Sequence, residues 1–336
     1  MMGKRGSAGD QRGNAAVITA LALVALLGAA AMASDVGVFL WNRQKLQDIA
    51  DAAALAGIQE LPEDPDAAVA AATDYARRNG AGSGGWVLDS VQVVGTDALE
   101  VRLSYPDAPF LFGRALGLRT VDISVRARAA VQSPTRSDNV MPWALRDSVR
   151  QQARFGDVVT VKYSAGSGSQ GDYGALAIIK RGSSQYEENI RNGVTLELNR
   201  TYDVETGNMT GATRDGMSYR FANTSTGCDT FDEVFQSTGQ GLWHFRRPEC
   251  NPWSGNGQGS KRVVLIPVIA DNEDPGRGQV TVMGFALAFL EDFTCPTGNE
   301  CDVRVRFVQA AMSADNQMLY GSYDPRSGVK VARLVQ

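Results

Sequence analysis

The chain has 336 residues, 43% hydrophobic and 21% charged, enough for two ordinary domains with cores of their own. Its formal net charge of -4 and pI near 5.2 give no broad attraction to phosphate backbones or anionic lipid, so nucleic acid is not an expected partner. Alanine crowds the first 80 residues, whereas Gly, Ser, Thr, Asn and the aromatics gather after residue 140, which predicts an α+β chain with a helical front and a strand-and-turn rear.

No charged residue lies between Gly13 and Ser34, and a helix of about 20 residues rising 1.5 Å each covers the ~30 Å of bilayer hydrocarbon. Residues 13–34 are therefore expected to form one transmembrane helix. Lys4, Arg5 and Arg12 precede it and Asp35 follows it, so the positive-inside bias places residues 1–12 in the cytosol and the bulk of the chain outside. A cleavable leader is the competing reading, because Ala31-Met32-Ala33 ahead of Ser34 satisfies the small-x-small rule. Against cleavage, the first proline is Pro62, and Leu46, Ile49, Ala50, Ala53, Ala54, Ile58 and Leu61 recur at helical spacing opposite Arg43, Lys45, Gln47, Asp48 and Asp51. The span thus continues as an amphipathic stalk over 35–61. Ala22, Ala25, Gly28, Ala29 and Ala33 are small enough to let it pack closely with other membrane helices.

After a break at Pro62 to Pro65, the pattern reads as a helix from Asp66 to Arg78, strands at Val87 to Val94 and Leu99 to Tyr105, a helix from Ala108 to Leu116, and a strand through Val121, Ile123, Val125, Ala127 and Ala129. Residues 62–131 are expected to be a small αββαβ module. The polar stretch 132–140, which contains Pro134, is expected to be a linker. Residues 141–336 are expected to be a mainly β, sandwich-like domain. Its strand candidates are Asp157 to Tyr163, Gly174 to Lys180, Val194 to Leu198, Arg262 to Ile269, Gln279 to Leu290, Asp302 to Val308 and Val329 to Val335.

Four cysteines, Cys228, Cys250, Cys295 and Cys301, all fall in this rear region, and an even count in an exported domain favours disulfides. Of three connectivities, the neighbouring one is preferred because each pair brackets a Gly- or Pro-containing loop. A zinc site is disfavoured by the C-x5-C spacing and the lack of partnering histidines. His244 is the single histidine, so any Ser-His-Asp or Cys-His mechanism would need it, and no G-x-S-x-G elbow accompanies it. Gly166 to Gly171 fits G-x-G-x-x-G, but a strand-like segment follows where a phosphate cradle needs a helix, so a hairpin loop is expected. Asp271 to Asp274 lacks the spaced ligand order of a calcium loop and reads as a solvated acidic turn. No catalytic residue, cofactor, metal or nucleotide is expected.

The run Arg12 to Val17, then Asp35-Val36-Gly37, then Leu46-Gln47-Asp48-Ile49-Ala50-Asp51-Ala52-Ala53-Ala54-Leu55-Ala56-Gly57, resembles the N-terminal module of TadG-like Flp (tight-adherence) pilus-assembly proteins. The resemblance covers about residues 12 to 61. It implies a retained anchor in the cytoplasmic membrane, no enzymatic activity, and other pilus or secretion-system subunits as partners. Processed pilins carry a Glu at the fifth position after the cleaved Gly; counting from Gly13 that position is Ile18, which argues for an assembly subunit over a pilin. In the rear, Val140 to Trp143, Gly207 to Gly211, Val264 to Pro267 and Gly284 to Ala286 resemble the C-terminal region of some Tad-domain envelope proteins. Two alternatives remain. One is an adhesin-like binding module, anchored or secreted, that uses exposed Trp243, Trp253 or Tyr186. The other is an envelope hydrolase, which needs His244 beside a nucleophile or paired carboxylates.

Overall fold

The computed structural model describes residues 11–164, 173–239, 241–254, 259–275, 278–296, 300–312 and 318–335. Lys4, Arg5 and the Gly166 to Gly171 run lie outside them. The chain is α+β, and it divides into one unit of residues 1–129 with 334–336 and a second of residues 130–333.

The first unit begins with a single helix, α1 (Gln11–Gly57), which has no proline to break it and ends in a short 3-10 turn, Ile58–Glu60. α1 is long and apolar enough to cross a membrane, and its apolar window is unburied among the described residues. Its later turns are amphipathic: Leu46, Ala50, Ala53, Ala54 and Ile58 are fully buried. They face α2 (Pro65–Arg78), which starts well because Asp64 accepts the Ala67 N–H at 2.8 Å and Pro65 occupies the first turn. Ala68, Ala72 and Ala76 are the buried stripe of α2. Small residues on both helices permit close approach, and Gly57 is tightly packed. A Cβ there would lie 2.4 Å from Leu99 Cδ2 and 2.5 Å from the Ala68 carbonyl oxygen.

Strands β1 (Val87–Val94) and β2 (Ala98–Pro109) form an antiparallel hairpin, with Val101, Leu103 and Leu99 buried behind it. β3 (Thr120–Val140) follows and supplies residues to both units. Two expectations change here. The helix expected over Ala108 to Leu116 is the end of β2 followed by a 3-10 turn, Gly113–Leu116, because Gly113 and Gly117 leave too short a run for α-helix and Gly117 takes φ +85°. The linker expected over 132–140 is strand. Its inward positions include Ser133 and Ser137, small polar residues that hide the alternation, and Ser133 Oγ donates to the Val329 carbonyl at 3.1 Å. Pro134 is tolerated because the register shifts beside it, between Leu319 and Tyr320 of the pairing strand.

The second unit contains, in order, β4 (Trp143–Arg146), α3 (Asp147–Gln152), β5 (Val158–Ser164), β6 (Tyr173–Ala177), α4 (Ser183–Asn192), β7 (Val194–Glu197), β8 (Thr201–Val204), α5 (Thr210–Ala222) and α6 (Phe231–Val234). It then continues through β9 (Phe235–Gly239), β10 (Leu242–Phe245), β11 (Val263–Ile269), β12 (Gln279–Thr281), β13 (Gly284–Thr294), β14 (Glu300–Phe307), β15 (Ala310–Met312), β16 (Leu319–Ser322) and β17 (Val329–Leu334). Pairing runs β11 to β13, β14, β5, β6, β4 and back to β11, a closed circuit within the region expected to be mainly β and sandwich-like. β11 is an uninterrupted apolar run that is buried on both faces. Val263, Leu265 and Ile269 enter one core with Phe285, Leu287 and Phe289, whereas Val264, Ile266 and Val268 enter the other with Ala286, Ala288 and Leu290. α4 supplies Tyr186 and Ile190 to that second core, α5 supplies Ala212 and Met217, and Met209 joins them from the residue before α5.

Candidate functional site

Asp35 follows the uncharged stretch of α1 and is buried. Its Oδ1 accepts the backbone N–H of Leu111 at 2.7 Å and of Phe112 at 3.1 Å, and its Oδ2 accepts Phe112 at 3.1 Å and Gly113 at 2.6 Å. One carboxylate therefore satisfies three consecutive donors at the start of the 3-10 turn, where N–H groups otherwise lack partners. The far end of the turn closes by a Schellman arrangement: Leu118 N–H bonds the Gly113 carbonyl at 3.0 Å and Gly117 N–H bonds the Arg114 carbonyl at 3.2 Å. The Phe110 N–H donates to the Arg119 carbonyl at 3.1 Å, tying the two ends of the tip together. Gly113 leaves room for the carboxylate, since a Cβ there would sit 3.3 Å from Asp35 Oδ2 and 3.1 Å from Phe110 Cβ.

Between α1 and this tip lies an apolar groove of about 680 Å³, lined on the helix by Leu27, Ala31 and Met32 and on the tip by Phe112, Leu116 and Leu118. Asp35 was expected to mark the membrane boundary only; the structure adds that it fixes the tip of a hairpin 76 to 78 residues further on. The D-x-G and L-Q-x-x-A-D-A-A-A-L-A-G elements thus have separable tasks in the fold. Asp35 clamps the tip, and Leu46, Ala50, Ala53, Ala54 and Gly57 seat the stalk on α2 and β2. The tip itself was not found from sequence. Its signal is a loop with Leu111, Phe112, Leu116 and Leu118 placed around two glycines, a pattern that a helical period imitates.

The remaining candidates are dispersed. Ala22, Ala25, Gly28, Ala29 and Ala33 are exposed on α1, and Gly28 also borders the groove. Arg12 lies in the first turn of α1. Cys228 is bonded to Cys250 and Cys295 to Cys301. The first disulfide is wholly buried, beside Trp253; the second joins the neighbouring ends of β13 and β14. His244 sits half-buried in β10 opposite Gln236. Of the three aromatics that an adhesin-like module would need to expose, Trp253 and Tyr186 are buried and Trp243 is half-buried, so they do not form a surface patch. Trp143 Nε1 donates to the Tyr186 hydroxyl at 3.0 Å inside the second core, and that hydroxyl is thus a packing element.

In the acidic turn, Asp271 accepts the Ser148 N–H at 3.0 Å, a bond that holds its carboxyl below the ordinary range, and Glu273 accepts the Thr281 N–H at 2.9 Å. Those oxygens serve the backbone. Among the described residues, no three His, Cys, Asp or Glu side chains converge on a point that could hold a metal. Two buried cations stand out. Arg220 donates to the carbonyls of Ile190 and Lys261 and to Asn139 Oδ1, and burial pushes its guanidinium down to about 10. Arg150, lowered by burial to about 10, lies 4.2 Å above the Phe155 ring and bonds the Arg326 carbonyl at 2.9 Å. Both are structural pins that join separate segments. No family model matches the chain, and searches of curated proteins and of solved structures found no match.

Proposed function

We propose that the chain is a non-enzymatic, membrane-anchored component of Flp/Tad-type pilus assembly or envelope scaffolding, with its N-terminus in the cytosol and its folded units outside. The observation that carries this reading is the division of labour along α1: an uncovered apolar segment, then a clamp, then a stalk that is built into a folded unit. A leader removed after Ala33 would sever that helix one residue short of Asp35, discarding the part of α1 that lines the groove beside the tip. Two disulfides fit folding in an oxidising compartment. The small residues Ala22, Ala25, Ala29 and Ala33 remain available to other membrane helices of the machinery. The fit to the pilus machinery in particular rests on the motif resemblance over residues 12 to 61.

The test is genetic. Deleting the gene in its native host should abolish or sharply reduce Flp-type surface fibres. The wild-type chain should restore them, and an Ala25→Asp chain should not, because a carboxylate at mid-span costs about 2.5–3.5 kcal/mol of insertion. Unchanged fibre number in the deletion strain would refute the proposal.

A further inference from the structure

The anchored reading of α1 makes the apolar tip beside it the most informative unassigned surface in the molecule. Leu111, Phe112, Leu116 and Leu118 are 59, 52, 74 and 57% exposed, which is costly for four large apolar side chains in one short turn facing water. The groove that Phe112, Leu116 and Leu118 border runs along α1 from Leu27 to Val36, about 13 Å at 1.5 Å per residue. Leu27, Ala30 and Ala31 belong to the uncharged span, so a bilayer that contains those residues reaches the tip as well.

We infer that the tip 110–118 is a second membrane contact, inserted into the acyl-chain region of the outer leaflet alongside the end of α1, with Leu111, Phe112, Leu116 and Leu118 in lipid. An independent observation points the same way. Irregular backbone is excluded from hydrocarbon because its N–H and C=O groups lose water as a partner. Here the N–H groups of residues 110, 111, 112, 113, 115, 117 and 118 all donate within the protein, three of them to Asp35. Such a loop can leave water without stranding those donors. Arg114 and Arg119 are exposed on the same tip, and their long side chains can carry their charges out to the phosphate level. A water-soluble partner protein would have to enter the bilayer to reach the groove, which is why lipid is the occupant the geometry favours. The Asp35 clamp then fixes the depth of the tip relative to the span.

The full-length protein, reconstituted in phosphatidylcholine vesicles, carries the test. A bimane fluorophore is attached in turn to Leu116→Cys, to Val24→Cys in mid-span and to Tyr75→Cys on α2, and its emission is compared between brominated and unbrominated lipid. Leu116 and Val24 are exposed in the isolated chain, so neither substitution disturbs packing. The inference expects comparable losses of emission at 116 and 24 and none at 75. Quenching at 24 without quenching at 116 would overturn it while leaving the anchor intact, whether the 116 label is open to aqueous iodide or shielded by protein. Absence of quenching at 24 would overturn the anchor and the inference together.

Discussion

Gly57 offers a direct test of how the stalk is held, because helix propensity and packing make opposite demands there. The residue has φ -69° and ψ -35°, ordinary helical values, so replacing it by Ala should by itself stabilise the backbone by about 1 kcal/mol. The added methyl group, however, would lie 2.4 Å from Leu99 Cδ2, 2.5 Å from the Ala68 carbonyl oxygen and 2.8 Å from Ala72 Cβ. The Leu99 terminus can rotate away, but the Ala68 carbonyl is part of α2 and yields only if the helix moves. Overpacking of this kind costs about 1–3 kcal/mol, and a backbone clash belongs at the upper end. The net expectation for Gly57→Ala is a loss of about 2 kcal/mol, or about 6 °C in Tm for a unit of this size. Gly37→Ala is the matched control: it is also in α1, with nothing within 4 Å of its added Cβ, so it should be neutral or raise stability by up to about 1 kcal/mol. Thermal melts of both full-length variants in the same detergent decide the matter. If Gly57→Ala melted at or above the temperature of Gly37→Ala, the close packing of stalk, α2 and β2 would be refuted.

Three further predictions address other parts of the fold. Asp35→Asn keeps one acceptor oxygen but replaces the other with a donor facing the Gly113 N–H, so amide exchange at Leu111, Phe112 and Gly113 should accelerate while the rest of the first unit keeps its protection; unchanged exchange would deny the clamp. Replacing Cys228 and Cys250 together by Ser opens a link between residues 22 apart in sequence, which should cost about 3 kcal/mol and appear as a lower Tm of the second unit alone, whereas an unchanged melt would show the link to be dispensable. Arg220→Met removes the donor shared by the Ile190 and Lys261 carbonyls and Asn139 Oδ1, and the orphaned oxygens should outweigh the relief of removing a buried charge by about 2 kcal/mol in denaturant titration; a stabilised variant would contradict the pinning role.

How much of this was legible depends on which force shaped each segment. α1 was readable because two simple signals coincide in it, an uncharged run followed by a 3.6-residue apolar stripe whose members Leu46, Ile49, Ala50, Ala53, Ala54, Ile58 and Leu61 are the buried ones. β11 and β14 were readable for the same reason with period two or a solid apolar run. α4 was not, because Ser183–Asn192 carries only Tyr186 and Ile190 as apolar anchors, and α5 was obscured by Gly211 and Gly216. Gly216 is there because Ile190 of α4 would lie 2.7 Å from a Cβ, a tertiary reason that leaves no local trace. Arg220 illustrates the same limit: a charged residue on a helix reads as solvent-facing until the carbonyls that surround it are known. At the candidate site, Asp35 was legible as a boundary residue, but its role required the Leu111 to Gly113 backbone, far along the chain, to fold back onto α1.

The claim on which the whole account depends is that the apolar helix stays attached and resides in the membrane. Intact-mass spectrometry of the protein extracted from carbonate-washed membranes tests it most directly. A mass that includes residues 11–34, recovered from the membrane pellet, is the predicted result. A mature chain beginning at Ser34 and found in the soluble periplasmic or culture fraction would contradict it.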